Sequence, residues 1–273
     1  MQAGGSCFTW VGTESMLNQV RSVISFLTIL PVTGKNESAT HDISFVAKNM
    51  YLFPLAALVI GTIAGAVGFG SSLFLHPLLA GLLVTASLVI LTGVHHTDAL
   101  ADFADGLMAK GGKDIKRKAM LDPAVGSAGV AALVLYFAGM IVVFGGTSLA
   151  TAGAAGFRIF TAVIAAEVIA KYIMVILAGR GLSAWEGFSS PFTVAMKDRR
   201  KLLAATAIMV PIVWFTSAIA GIAALGVSLA IAGLMKRASD KSFGGISGDV
   251  LGASNELSRL ASLITILSWS VPL

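Results

Sequence analysis

Three aspartates, Asp98, Asp102 and Asp105, close an apolar run of membrane length, with His95 and His96 just before them. Charge is costly in such a place, so these residues are expected to serve chemistry. At about 100° per residue, the i, i+4, i+7 spacing puts the carboxylates within roughly 60° of one another if the helix of the run continues through them. Carboxylates on one stripe repel. A divalent cation relieves the repulsion, and a hard ion such as Mg²⁺, which leaves positions for phosphate oxygens, suits a carboxylate set. Lys110 follows the stripe, then Lys113, Lys116, Arg117 and Lys118. Acids followed by cations suit a diphosphate substrate, with metal bridging the phosphates and cations screening the rest. Residues 113 to 118 read first as a topology determinant resting on anionic lipid headgroups, which leaves Lys110 as the contact of interest.

A second polar cluster runs from Lys236-Arg237 through Ser242-Phe243-Gly244-Gly245-Ile246-Ser247-Gly248-Asp249 to Asn255-Glu256. Its glycines would let backbone N–H groups approach a phosphate, although a structural turn uses the same residues. Asp249 and Glu256 are seven apart, on one face of a helix, and add a second pair of acids. Between the clusters, Glu167 and Lys171 are i, i+4 partners deep in an apolar helix. They read equally as part of a phosphate site or as a mutually neutralising pair. Arg158, near the other end of that helix, is expected to snorkel.

The elements that must position these residues are membrane helices. Of 273 residues, 56 % are hydrophobic and 12 % charged, which makes the chain an all-α, polytopic integral membrane protein with a single membrane domain over 16–273. Six spans are expected, at about 51 to 75, 77 to 97, 124 to 145, 151 to 178, 202 to 217 and 219 to 235. Leu260 to Leu273 would be a seventh span or a helix packed on the bundle. Met16, Val20, Val23, Leu27 and Leu30 share one helical face, an interfacial amphipathic helix before Pro31. Residues 1–15 read as an N-terminal extension without fixed structure, and Met16 offers an alternative start. Cys7, the single cysteine, carries no disulfide or metal signal.

Lys and Arg crowd into the N-terminal region and the 98 to 123, 180 to 201 and 236 to 259 loops, whereas the turns near 70 to 77, 146 to 150 and 217 to 219 hold none. The basic loops therefore share one face, cytoplasmic by the positive-inside bias, at the cell membrane. The net charge of +5 reports this topology, and no nucleic-acid recognition motif accompanies it.

Leu30-Pro31-Val32, Tyr51-x-x-Pro54, Thr92-Gly93-x-x-His96-x-Asp98-x-Leu100-Ala101-Asp102-x-x-Asp105-Gly106, Asp122-x-x-x-Gly126 and Gly244-Gly245-x-Ser247-Gly248-Asp249-x-Leu251-Gly252-Ala253 together resemble the cobalamin synthase family, the adenosylcobinamide-GDP ribazoletransferases, from about residue 17 to the C-terminus. The resemblance implies a Mg²⁺-dependent membrane transferase that joins adenosylcobinamide-GDP to α-ribazole or its 5′-phosphate and releases GMP. It implies Asp98, Asp102, Asp105 and Asp249 at the metal and His96 among the catalytic groups. The implied substrate contacts are Lys110, Lys171, Arg237, Gly244, Gly245, Ser247, Gly248, Asn255 and Glu256. Lys171 stands where the family tends to carry arginine, and Ala99, Ser247 and Pro123 also depart from the usual pattern. Trp185, Phe188 and Phe192 read first as interface anchors and second as contacts to a corrinoid or base. Asp102-x-x-Asp105-Gly106-x-x-Ala109-Lys110 also echoes the CDP-alcohol phosphotransferases, which use arginine at the Lys110 position and two further aspartates absent here. A small transporter is the rival outside enzymology, but its acids should sit near the midplane between related halves. The sequence also allows a homo-oligomer.

Overall fold

In an apolar solvent only a backbone that satisfies its own hydrogen bonds is stable, and long apolar runs therefore fold as helices. A computed structural model describes residues 15–32, 43–145 and 152–269. Expectations for residues 1–14, for the turn at 146 to 150 and for the last four residues lie outside it. The described elements are α1 (Met16–Leu27), α2 (Ile43–Lys48), a 3-10 turn (Met50–Leu52), α3 (Phe53–Ser72), α4 (Pro77–Leu91), α5 (His95–Met108), α6 (Lys113–Met120), α7 (Ser127–Val142), α8 (Ala152–Arg180), α9 (Ser190–Ala195), α10 (Arg199–Ser242) and α11 (Gly248–Ser268). Among the described residues the only β pairing is an isolated bridge between Ser183 and Ile246.

The bundle is built around α8, which packs against α3, α10 and α11. Its apolar stretch is 83 % buried, against 28 % for α10, so α8 is central and α10 peripheral. The ends of the helices are sorted. Ser72 and Phe69 of α3 abut Gly156 at the start of α8, and Leu78 of α4 abuts Gly145 just past α7. These contacts gather the uncharged turns at one end, opposite the segments that carry the motifs.

Three helices are long and apolar enough to cross a membrane: α3 with its preceding turn, α8 and α10. There are four if α4 and α5 count as one broken span. On this measure the expected six to seven spans are not reached, because α4 and α7 have only 15 and 16 residues and the chain departs from the expected runs in three places. First, the run at 77 to 97 does not continue into the aspartate stripe. Thr92 returns its hydroxyl to the Leu88 carbonyl, Gly93 and Val94 take positive φ of 64° and 68°, and α5 leaves α4 at 92°. Second, the fifth and sixth runs belong to one continuous 44-residue helix assignment, although a straight helix of that length would measure about 66 Å, twice the apolar thickness of a bilayer. It doubles back at Ala218 (φ 43°, ψ −126°). Leu202 near its start packs on Gly179 and Ile246 just past its end packs on Gly181, so both arms return to the same end of α8. Third, the stretch from Leu260 is the second half of α11, most of which is buried.

α1 is amphipathic as expected, capped by the Ser15 hydroxyl. Val23, Ile24 and Leu27 are its buried apolar residues, while Met16 is 68 % exposed. Arg158 does not snorkel: its guanidinium donates to the Leu267 carbonyl near the end of α11.

Candidate functional site

The right-angle bend after α4 sets α5 outside the apolar span, alongside the first turns of α11. Gly252 allows this approach. A Cβ there would lie 2.5 Å from the Ala99 methyl, so the two helices meet at van der Waals contact between small residues. The contact brings Asp98 and Asp102 to Asp249. Burial raises the Asp102 carboxyl to a pKa of about 7, with further contributions from Asp98, then Asp249 and Asp105. Two motifs about 150 positions apart in sequence thus share one electrostatic site that favours a bound cation.

Asp105 faces a different partner. Its two oxygens accept the Gly126 N–H at 2.7 Å and the Gly129 N–H at 2.8 Å, an acid placed at the positive N-terminus of α7. Any Cβ at Gly126 or Gly129 would fall within 2.5 Å of this carboxylate, which explains both glycines. Among the described residues no three His, Cys, Asp or Glu side chains already form a metal-holding group. The donor chemistry nevertheless fits Mg²⁺, which takes one or two carboxylates and completes its shell with water and substrate phosphate.

The glycine segment is shaped by the chain beside it. Ile246 donates to the Leu182 carbonyl and accepts from the Ala184 N–H, and the Ser189 hydroxyl reaches the Ile246 carbonyl. Gly245 has backbone atoms of residues 182 to 184 within 3 Å of any added Cβ. That glycine is required by loop packing. Gly244, with φ 89°, makes the turn. Ser247 caps α11 by accepting the Val250 N–H at 3.2 Å and lies 3.3 Å from Asp249 Oδ2. Gly248 opens on a cavity.

That cavity, about 550 Å³, is lined in part by His95, His96, Asp98, Gly248, Asp249 and Gly252. Its lining also holds an aromatic cluster, Phe26, Phe53, Phe188 and Phe192, with ring centroids 5.6 to 6.3 Å apart. His96 is buried and its Nδ1 has no hydrogen-bond partner among the described residues, whereas His95 is exposed. Spacing could not reveal Phe26 or Phe53, because both reach the cavity from remote segments.

Lys171, Asn255 and Glu256 lie behind this cavity, fully buried, in a network centred on Arg259. Arg259 donates to Glu167, Glu256 and Tyr136, the last at 3.0 Å. Lys171 donates to Asn255 Oδ1 at 2.8 Å and lies 3.8 Å from Glu167, and Asn255 donates to Glu256 at 2.9 Å. Two acids meet two cations. The i, i+4 pair expected at Glu167 and Lys171 is present, and Arg259 is the residue that sequence reading missed. Its signal was its position three residues after Glu256, where the two side chains share a helix face.

The remaining basic candidates are on the surface. Lys110 and Arg237 are exposed, and Lys236 pairs with Asp240. In α6, Lys116 donates to the Leu107 carbonyl and Arg117 lies 4.4 Å over the Trp185 ring. Lys113 Nζ comes beside Gly244. Asp122 accepts the Ala124 N–H in a local turn.

A family model for cobalamin-5-phosphate synthase matches residues 19–267. An adenosylcobinamide-GDP ribazoletransferase of Methanocella arvoryzae is 34 % identical, covering 91 % of this chain and 95 % of the relative. Relatives of the same description from Archaeoglobus fulgidus (32 % identical; 91 % and 96 % covered) and Chlorobium chlorochromatii (31 %; 92 % and 96 %) extend the likeness across distant organisms. No solved structure matches the chain.

Proposed function

Because the chain belongs to the cobalamin-5-phosphate synthase family, we propose that it joins adenosylcobinamide-GDP to α-ribazole or its 5′-phosphate and releases GMP. The observation that carries this reading is the convergence of Asp98 and Asp102 on α5 with Asp249 on α11 beside one cavity. In the proposed step a ribose hydroxyl oxygen attacks the phosphorus nearer the corrinoid. The bond from that phosphorus to the bridging oxygen breaks, and the oxygen leaves with GMP.

Asp98, Asp102 and Asp249 would hold Mg²⁺, which supplies neutralisation of the phosphate oxygens when bound. Asp105 acts through the backbone: by tying α5 to α7 it keeps the stripe aimed at Asp249. His96, in the cavity wall with a free Nδ1, takes the hydroxyl proton. Lys110 and Arg237, two of the exposed cations on this face, balance charge on the departing GMP.

The site faces the cytoplasm in this reading, because the basic segments lie at its end of the bundle. α3, α4, α7, α8 and the two arms of α10 supply six crossings. α11 supplies a seventh, running from the site at Gly248 to the opposite end, where Leu267 meets Arg158.

The test is GMP release by the purified full chain in detergent, supplied with both substrates, with and without Mg²⁺. Release that requires both substrates and the metal is expected. No release from folded, lipid-supplemented protein, or release indifferent to the metal, would overturn the proposal.

A further inference from the structure

Phosphate chemistry accounts for the acidic half of the cavity but not for the aromatic half. Phe26 comes from α1, Phe53 from the start of α3, Phe188 from the loop before α9 and Phe192 from α9 itself, so four separate segments converge on one wall. Phe53 and Phe192 form its back, exposed by 0 % and 3 %. Phe188 is 54 % exposed, so a ring face remains open to a ligand. Among the described residues no lysine or arginine lines the cavity, and its charged residues are Asp98 and Asp249. A diphosphate therefore belongs at those acids, where a bound cation offsets the repulsion, and gains nothing from the phenylalanines. The four rings already pack on one another, and a flat, uncharged ring can add to the stack at the face that Phe188 leaves open.

We propose that the aromatic half binds the heterocyclic base of the nucleophile, the benzimidazole-type ring of a ribazole, and that the corrinoid and its diphosphate remain outside, at the acids on the rim. The size agrees. About 550 Å³ lies in the range of sites for drug-sized ligands and accommodates a nucleoside, whereas a corrinoid with its side arms is far larger. A base seated against Phe26 and Phe188 keeps its ribose within the same cavity as Asp98, Asp249 and His96, and Phe188 itself lies beside Gly248. His96 Nδ1 is the one partnerless buried side-chain polar atom on this lining among the described residues. It gains a partner from the sugar hydroxyl or the ring nitrogen. The cavity then sets which lower-ligand base the protein accepts.

This assignment rests on the proposed transferase reading, and its test separates the two. Calorimetric titration of the full chain in detergent with α-ribazole alone measures the cavity directly. Phe188→Ala is expected to weaken α-ribazole about tenfold, the size of one lost aromatic contact, and Phe188→Tyr to restore it to within about twofold. Affinity of Phe188→Ala for adenosylcobinamide-GDP should stay within about twofold, which also verifies the fold. Unchanged α-ribazole binding in Phe188→Ala, or weakening confined to adenosylcobinamide-GDP, would overturn the assignment even if the wild type forms GMP. Phe188-dependent binding of α-ribazole by a wild type that forms no GMP would uphold the cavity and remove the transferase.

Discussion

Arg259 is the residue on which the interior of the bundle most depends, and Arg259→Met exposes that dependence. The side chain is 1 % exposed and holds Glu167, Glu256 and Tyr136, none of which water can reach in its place. Methionine keeps most of the volume but returns no donor. Glu167 then retains Lys171 at 3.8 Å, and Glu256 the Asn255 amide and the Tyr136 hydroxyl, with no guanidinium on either acid. Breaking a buried ion pair by removing one partner costs about 3–5 kcal/mol, because a charge is left in low dielectric. The same figure is expected here. Removing an acid together with the cation restores the balance, so Arg259→Met with Glu256→Gln should cost less than the sum of the single changes, by a coupling of about 1–3 kcal/mol. Denaturation in detergent, followed by helix content, measures all four corners of the cycle. A cost below about 1 kcal/mol for Arg259→Met, or additivity of the two changes, would refute the network as a cooperative unit.

The raised pKa of Asp102 has a definite sign. A carboxyl whose folded pKa of about 7 exceeds its ordinary value of 3.8 binds more protons folded than unfolded, so metal-free protein loses stability as pH rises from about 4 through 7. Asp102→Asn should flatten that slope, and Mg²⁺ at pH 8 should stabilise the wild type more than the variant in thermal scans. Gly129→Ala would place a methyl 2.4 Å from the Asp105 carboxylate. It should cost about 1–3 kcal/mol in the same denaturation assay. Ala218→Gly relieves a positive φ at the α10 reversal and should raise stability by about 1 kcal/mol, with GMP release unaltered.

The chemistry was more legible than its placement. Spacing put Asp98 and Asp102 on one stripe because helical periodicity holds locally, and the Gly-rich motif marked the start of α11. The bend that aims the stripe at Asp249 depends on Val94 at φ 68°, a conformation that a β-branched residue disfavours. Only tertiary packing can impose it, so spacing alone leaves open whether the helix of the run continues through the stripe. The two runs separated at residue 218 were legible as separate arms because together they exceed a bilayer's thickness, whereas the reversal itself falls on an alanine that signals nothing. Asp105 looked identical to its neighbours by spacing, and its difference lies in the N–H groups of Gly126 and Gly129. Resemblance implies Lys171, Asn255 and Glu256 at a substrate site, and packing joins them to Arg259, a partner that spacing did not mark. The aromatic wall was half visible: Phe188 and Phe192 were noted, while Phe26 and Phe53 arrive through contacts that no local pattern encodes.

The most direct test of the shared acidic site is single-turnover GMP release at saturating Mg²⁺ and both substrates, comparing wild type with Asp98→Asn and Asp249→Asn. If α5 and α11 form one centre, both variants fall by at least about a hundredfold while keeping the helix content of the wild type. Wild-type turnover in Asp249→Asn would contradict it, leaving the stripe of α5 to act without α11.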